Sequence, residues 1–225
     1  MEINKELTDE MREKMRNYIN HTCIYRVEPG QKPLVGKAPG TNYIWQFYPR
    51  RALFDSSILH YMGILFWYRF AEDFKNKPFQ ITGLETGATP MLPAIAMTAG
   101  LFDIRVNVFS TRAERKKYGL YNRFEGLIDR NLPVMIVDDL CNSKNTILQC
   151  KHYIEAEGLK VYDYGFAIIN KDVDKEHPDH DKYIGKDLKM ESIFNLEDFD
   201  LTWEQYTKKH GNVSEVPFII EKNKS

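Results

Sequence analysis

The spacing of apolar positions changes along the chain, and each change marks an element. Ile3, Leu7, Met11, Met15 and Ile19 recur every fourth residue, which predicts an amphipathic helix over residues 3 to 20. Residues 26 to 42 carry repeated Gly and Pro and predict a loop. The aromatic run Tyr43-Ile44-Trp45-Gln46-Phe47-Tyr48 is a strand candidate, read either as core packing or as part of a hood over a flat ligand. A cap at Asp55 or Ser56 opens a second helix over residues 55 to 76, apolar nearly all round and so expected to be well buried.

From residue 78 a strand, turn and helix unit repeats. Pro78 to Thr82 predicts a strand, Gly83 to Pro90 a turn, and Met91 to Ala99 a helix ended by Gly100. Ile104 to Phe109 predicts the next strand. Val134 to Val137 predicts another, followed by the acids Asp138 and Asp139, a polar turn over 142 to 146, and a helix from Ile147 to a Gly158 cap. Val161 to Ile169 and the stretch from Met190 read as further strands. A helix to about Lys209 and a tail from 211 close the chain. The alternation predicts an α/β fold around a mostly parallel sheet with right-handed crossovers. There is no internal repeat or linker. One domain is expected, with an N-terminal helix and hood segment over 1 to 54, a core over 55 to 200, and a C-terminal helix and tail over 201 to 225.

Composition narrows the function classes. The 225 residues are 43% hydrophobic and 28% charged, which suits an ordinary globular chain. A net charge of -1 gives no bulk electrostatic case for nucleic acid or an anionic membrane, so neither is expected as a partner. Cys23, Cys141 and Cys150 are widely spaced and odd in number, which points to structural thiols in a reducing compartment. The N-terminus lacks an apolar leader, and the apolar run Ile58 to Phe70 is interrupted by His60, Tyr61 and Arg69. A cytoplasmic location is expected. The stretch Glu176 to Asp181 reads as a solvated loop rather than a metal site.

Three segments carry candidate chemistry. A strand that ends in Asp138 and Asp139 and turns through Asn142, Ser143, Lys144, Asn145 and Thr146 into a helix is a ligand-binding corner. The turn's N–H groups and the helix start suit a phosphate, and the acids suit sugar hydroxyls. The turn Glu85-Thr86-Gly87-Ala88 repeats the strand-to-helix geometry. The run after Phe109 holds Arg112, Arg115, Lys116 and Lys117, read either as a solvated basic face or as an anion site at a strand's carboxyl end.

Together these segments resemble the type I phosphoribosyltransferases, most closely the orotate enzymes, over roughly residues 40 to 200. VMIVDDLCNSKNT is similar to their phosphoribosyl-pyrophosphate signature, GLETGATP to their pyrophosphate turn, and Arg112, Lys116, Gly119 and Glu125-Gly126 to their catalytic lid pattern. The resemblance implies the family fold, a central mostly parallel sheet with a hood built from both termini. It implies transfer of phosphoribose from the donor to a nucleobase, giving a nucleoside 5′-monophosphate and pyrophosphate. Asp138, Asp139, Arg112 and Lys116 would be catalytic. Residues 142 to 146 would hold the 5′-phosphate, Glu85 to Ala88 the pyrophosphate, and Lys171 with Asn142 the base. Mg²⁺ would be carried by the donor and water rather than by direct protein ligands, and a homodimer would share its lids. Lys144, Asn145, Ala88 and Ala113 depart from the family pattern, and Leu120 to Phe124 would be a lid without glycines. Those departures keep open a nucleotide- or donor-binding sensor, and the hood around Trp45 and Lys171, which also departs from the orotate pattern, keeps open the same chemistry on a purine or other base.

Overall fold

A computed structural model describes residues 3–28, 30–32, 34–35, 42–75, 77–114, 122–142, 144–171 and 188–201. Several expectations fall elsewhere: Ser143, Lys116, Gly119, most of the lid, the 176 to 181 stretch and the terminal helix all lie outside the described residues.

The first predicted helix is α1, Lys5–Thr22, capped by Asn4, whose side chain accepts from the Leu7 N–H at 3.0 Å. Its apolar stripe, Met11, Met15 and Ile19, is buried. Short strands β1 (Ile24–Arg26), β2 (Leu34–Val35), β3 (Asn42–Tyr43) and β4 (Trp45–Phe47) follow. The aromatic run is therefore broken at Ile44, and the predicted loop contributes strand residues at 34–35. A 3₁₀ segment, Pro49–Phe54, leads to α2, Ser56–Phe74. Asp55 caps α2 by accepting from the Ser57 and Ile58 N–H groups. As its pattern predicts, α2 is deeply buried: Phe66, Trp67 and Phe70 are closed to solvent, and the Trp67 indole donates to the Ile95 carbonyl at 2.7 Å. Full burial of such side chains contributes about 1.5–3 kcal/mol each. Among the described residues no helix is long and apolar enough to cross a membrane.

The core is a six-stranded sheet. Its strands are β5 (Gln80–Leu84), β6 (Asn107–Thr111), β7 (Phe124–Glu125), β8 (Val134–Cys141), β9 (Tyr164–Asn170) and β10 (Lys189–Asn195). They lie in the order β10-β9-β8-β5-β6-β7, and every pairing is parallel except β6 with β7. Helices α3 (Met91–Thr98) and α4 (Asn145–Ala156) complete the crossovers. Along β8 the side chains alternate: Met135 and Val137 join the core shared with α2 and α3, whereas Val134 and Ile136 pack with Ile147, Cys150 and Ile154 of α4. Period-2 alternation between two buried faces is the mark of a sheet covered on both sides.

Some boundaries move from their predicted places. The strands predicted over 78–82 and 104–109 sit at Gln80–Leu84 and Asn107–Thr111, and the one predicted over 161–169 sits at Tyr164–Asn170. Ladder bonds to β8 and β5, not local composition, decide those ends. Gly100 does not end α3. The chain runs on as a 3₁₀ turn to Phe102, and Asp103 takes the left-handed conformation, φ 58°. Strand β8 continues through both acids to Cys141, and α4 starts at Asn145, so the polar turn is shorter than predicted. Gly158, φ +78°, lies just past α4 as expected. Phe124, expected in the lid, is a strand residue paired to Thr111.

The two ends of the described chain meet. Arg12 pairs with Asp198 at 2.6 Å, Arg26 donates to the Phe199 carbonyl, and the Phe47 and Phe199 rings lie 5.3 Å apart. This sets β4 against the 3₁₀ turn Leu196–Phe199 beside the carboxyl ends of the sheet.

Candidate active site

Strand order reverses between β5 and β8. From β5 the chain moves outward through β6, and from β8 it moves the other way through β9 and β10. Crevices at such reversals, outside the carboxyl ends of the strands, are where open α/β sheets bind ligands. Here the reversal opens a cleft of about 510 Å³ lined by Glu85, Thr86 and Gly87 from the β5 turn, by Asp138, Asp139 and Leu140 from β8, by Thr146, and by Phe47, Tyr48, Pro49 and Arg50 from the hood. The structure thus gathers both predicted acids and three residues of the predicted pyrophosphate turn into one place.

The contact between turn and acids is close. A Cβ added at Gly87 would stand 2.7 Å from Asp139 Oδ1 and 2.8 Å from Asp138 Oδ1. Only glycine lets the turn lie on the carboxylates. Behind it, Ala88 is fully buried, and a Cβ added at Gly83 would lie 2.2 Å from the Ala88 methyl. The alanine that departs from the family pattern is accommodated because β5 presents a glycine beneath it. The Glu85–Thr86 peptide bond is cis.

Asp138 and Asp139 are buried, at 5% and 8% exposure, and the Asp138 carboxylate accepts from the Asp139 N–H at 2.9 Å. Burial, and then the neighbouring Asp139 charge, push the Asp138 carboxyl up to about 8. Burial also raises Asp139, opposed by the Arg50 guanidinium. Like charges held this close titrate as a unit, and the pair is poised to retain a proton.

Beside the acids is a smaller cavity of about 50 Å³, lined by Asp138, Asn142, Lys144, Asn145 and Thr146 among others. The start of α4 faces it and turns the positive end of the helix dipole toward it. Lys144 has φ 58°, the left-handed conformation that glycine adopts most readily. Its ammonium donates to the Leu188 carbonyl at 2.8 Å, so its charge is tied to the strand β10 side. The Asn142 side-chain oxygen is buried without a hydrogen-bond partner among the described residues.

Arg112 follows β6 and stands 3.8 Å from Glu85 and 3.7 Å from Glu125. Its Nε is buried with no hydrogen-bond partner among the described residues. The lid stem is firmly built: the Arg112 N–H donates to the Arg123 carbonyl, and the Arg123 guanidinium donates to the Arg112 and Ala113 carbonyls. It also lies 3.7 Å over the Tyr153 ring of α4. Arg123 and Phe124 are therefore anchors of the stem.

Lys171 is not brought into the cleft lining. It is 8% exposed, and its ammonium lies 4.8 Å from the centre of the Trp45 ring, under the hood. Burial lowers it to about 8. Trp45 itself is 2% exposed and presents no open face, whereas Tyr48 is 50% exposed. The sequence reading missed Arg50, whose guanidinium lies 3.8 Å from Asp139. The available signal was a basic pair directly after an aromatic strand, in Tyr48-Pro49-Arg50-Arg51. Among the described residues no group of three or more His, Cys, Asp or Glu side chains could enclose a metal ion. The oxygen donors at hand are Asp138, Asp139 and Glu85.

Comparison with known proteins agrees with this fold. No protein-family model matches the chain. Orotate phosphoribosyltransferase of Methanocaldococcus jannaschii is 24% identical over 122 residues, 54% of this chain and 64% of that protein. The chain therefore spans less than two thirds of the length of that relative. A phosphoribosyltransferase structure from Corynebacterium diphtheriae superposes with TM-score 0.66 at 17% identity, covering 85% of this chain and 99% of that one. Mycobacterium tuberculosis orotate phosphoribosyltransferase in complex with 5-phospho-α-D-ribosyl 1-diphosphate superposes with TM-score 0.60 at 17% identity, covering 84% and 92% of the two chains.

Proposed function

We propose that this chain, which has the fold of the type I phosphoribosyltransferases, transfers a phosphoribosyl group from phosphoribosyl pyrophosphate to a planar nucleobase of the orotate kind. The observation that carries this reading is the seat of Gly87 on the Asp138–Asp139 pair, which joins the pyrophosphate turn and the ribose acids in one cleft. The orotate enzymes among its relatives support the choice of donor and acceptor.

Each group then has a task. The N–H groups at the start of α4, with Thr146, hold the 5′-phosphate. Asp138 and Asp139 accept the ribose hydroxyls, and their charge favours the cationic sugar carbon that forms as the C1–pyrophosphate bond breaks. Glu85, Thr86 and Gly87 position the pyrophosphate, and Arg112 at the mouth of the lid stem offsets its departing charge. Bases enter against the hood wall of Phe47 and Tyr48. Mg²⁺ would be held largely by pyrophosphate and water, beside the cleft carboxylates Glu85, Asp138 and Asp139. That ion would neutralise charge on the leaving group. The homodimer expected from the resemblance belongs to the same proposal.

The test is pyrophosphate release from the donor with Mg²⁺ across orotate, uracil, adenine, guanine and hypoxanthine. Orotate should be turned over fastest. Donor binding by calorimetry without consumption by any base would overturn the transfer reading. It would favour a donor-binding sensor, the reading that Lys144, turned away to Leu188, supports.

A further inference from the structure

Arg50 has no part in the chemistry described so far, yet it is the one cationic side chain lining the main cleft among the described residues. It rises from the 3₁₀ segment Pro49–Phe54, directly after the aromatic wall. Its side chain is 63% exposed, while the Asp139 carboxylate it reaches, 3.8 Å away, is 12% exposed. A long arginine thus leans inward across the cleft to a buried acid. An ion pair of this length with one exposed partner holds weakly. Incoming hydroxyls that take the acid displace it at little cost. The guanidinium then remains over the hood side of the cleft, near Phe47 and Tyr48, with its planar fork of N–H donors open. That fork matches a carboxylate or another planar anionic edge.

Resting on the transfer reading above, we infer that Arg50 is a specificity-determining residue. It sits on Asp139 and passes to the anionic edge of a planar acceptor once the donor's ribose has taken Asp139. Asp139 and the acceptor compete for one guanidinium, so a ligand that occupies Asp139 strengthens acceptor binding. Such coupling is reciprocal and can be measured without turnover.

The experiment is calorimetric titration with orotate, alone and with saturating ribose 5-phosphate, which carries the sugar and phosphate but no leaving group. In the wild type, ribose 5-phosphate should tighten orotate by about fivefold or more. R50Q should lose that gain and R50K should keep part of it, since lysine retains the charge without the fork. Uracil, the same ring without the carboxylate, should show no Arg50-dependent gain. Full coupling in R50Q, or none in the wild type, overturns the inference. The two readings fail separately. If no base consumes the donor but the Arg50-dependent coupling is present, transfer falls and Arg50's role stands. If transfer proceeds and the coupling survives R50Q, Arg50's role falls alone.

Discussion

At the scale of single residues, Asp138 and Asp139 hold the site's largest electrostatic tension. A carboxyl raised by burial keeps its proton in the folded chain over a range where the unfolded chain has lost it. The folded state then binds more protons than the unfolded state, and stability falls as pH rises. For Asp138 the window runs from its ordinary value of 3.8 up to about 8. Asp138→Asn removes the tension while keeping a side-chain oxygen for the Asp139 N–H. Melting temperature at pH 8 should rise by roughly 2–4 °C, for about 1 kcal/mol, and less at pH 5, while transfer should drop by about a hundredfold or more. Equal or lower stability of the variant at pH 8 would contradict this account of the pair. Lys144 shows a second tension. A non-glycine residue at φ 58° costs on the order of 1 kcal/mol, and its hydrogen bond to Leu188 offsets a similar amount. That balance explains how the loop does without glycine.

At the scale of elements, the cleft depends on how closely β5 lies on its own turn and on β8. Gly83 makes that possible, since an added Cβ would meet both the Ala88 methyl at 2.2 Å and the Val137 carbonyl oxygen at 2.3 Å. Gly83→Ala should therefore destabilise the fold by about 1–3 kcal/mol, the usual range for overpacking a close-packed core. Adding Ala88→Gly should restore only part of the loss, because the clash with the β8 backbone remains. Urea unfolding of the single and double variants reads this directly, and complete rescue would show that Val137 yields freely. The lid stem follows the same logic of elements leaning on elements. Thr111 pairs with Phe124, and Arg123 stacks on α4.

At the scale of the molecule, donor and fold are linked by mass action. Phosphoribosyl pyrophosphate at a hundredfold over its dissociation constant should stabilise the chain by about 2.7 kcal/mol. That corresponds to roughly 5–10 °C in melting temperature. No shift with donor and Mg²⁺ would sink the assignment of the cleft. Much of this architecture was legible in local pattern: the four-residue spacing of α1, the Asp55 cap, the strand running into Asp138 and Asp139, and the repeated strand-turn-helix units. What escaped depends on contacts far apart in sequence. The β8 ladder to β9 carries that strand past its acids to Cys141. Asp103, not Gly100, takes the left-handed turn after α3 because the 3₁₀ turn continues onto it. Arg50 reaches Asp139 only because the hood folds over the sheet. Lys171 meets Trp45 for the same reason.

Helix α4 has one more consequence. Its first turn faces the smaller cavity beside the acids, and its Tyr153 carries Arg123, which braces the chain after β6. The eight rises from Asn145 to Tyr153 span about 12 Å of rigid rod at 1.5 Å per residue. The helix is therefore a ruler: the spacing between that cavity and the Arg123 brace is graduated in helical turns, not left to two loops to negotiate.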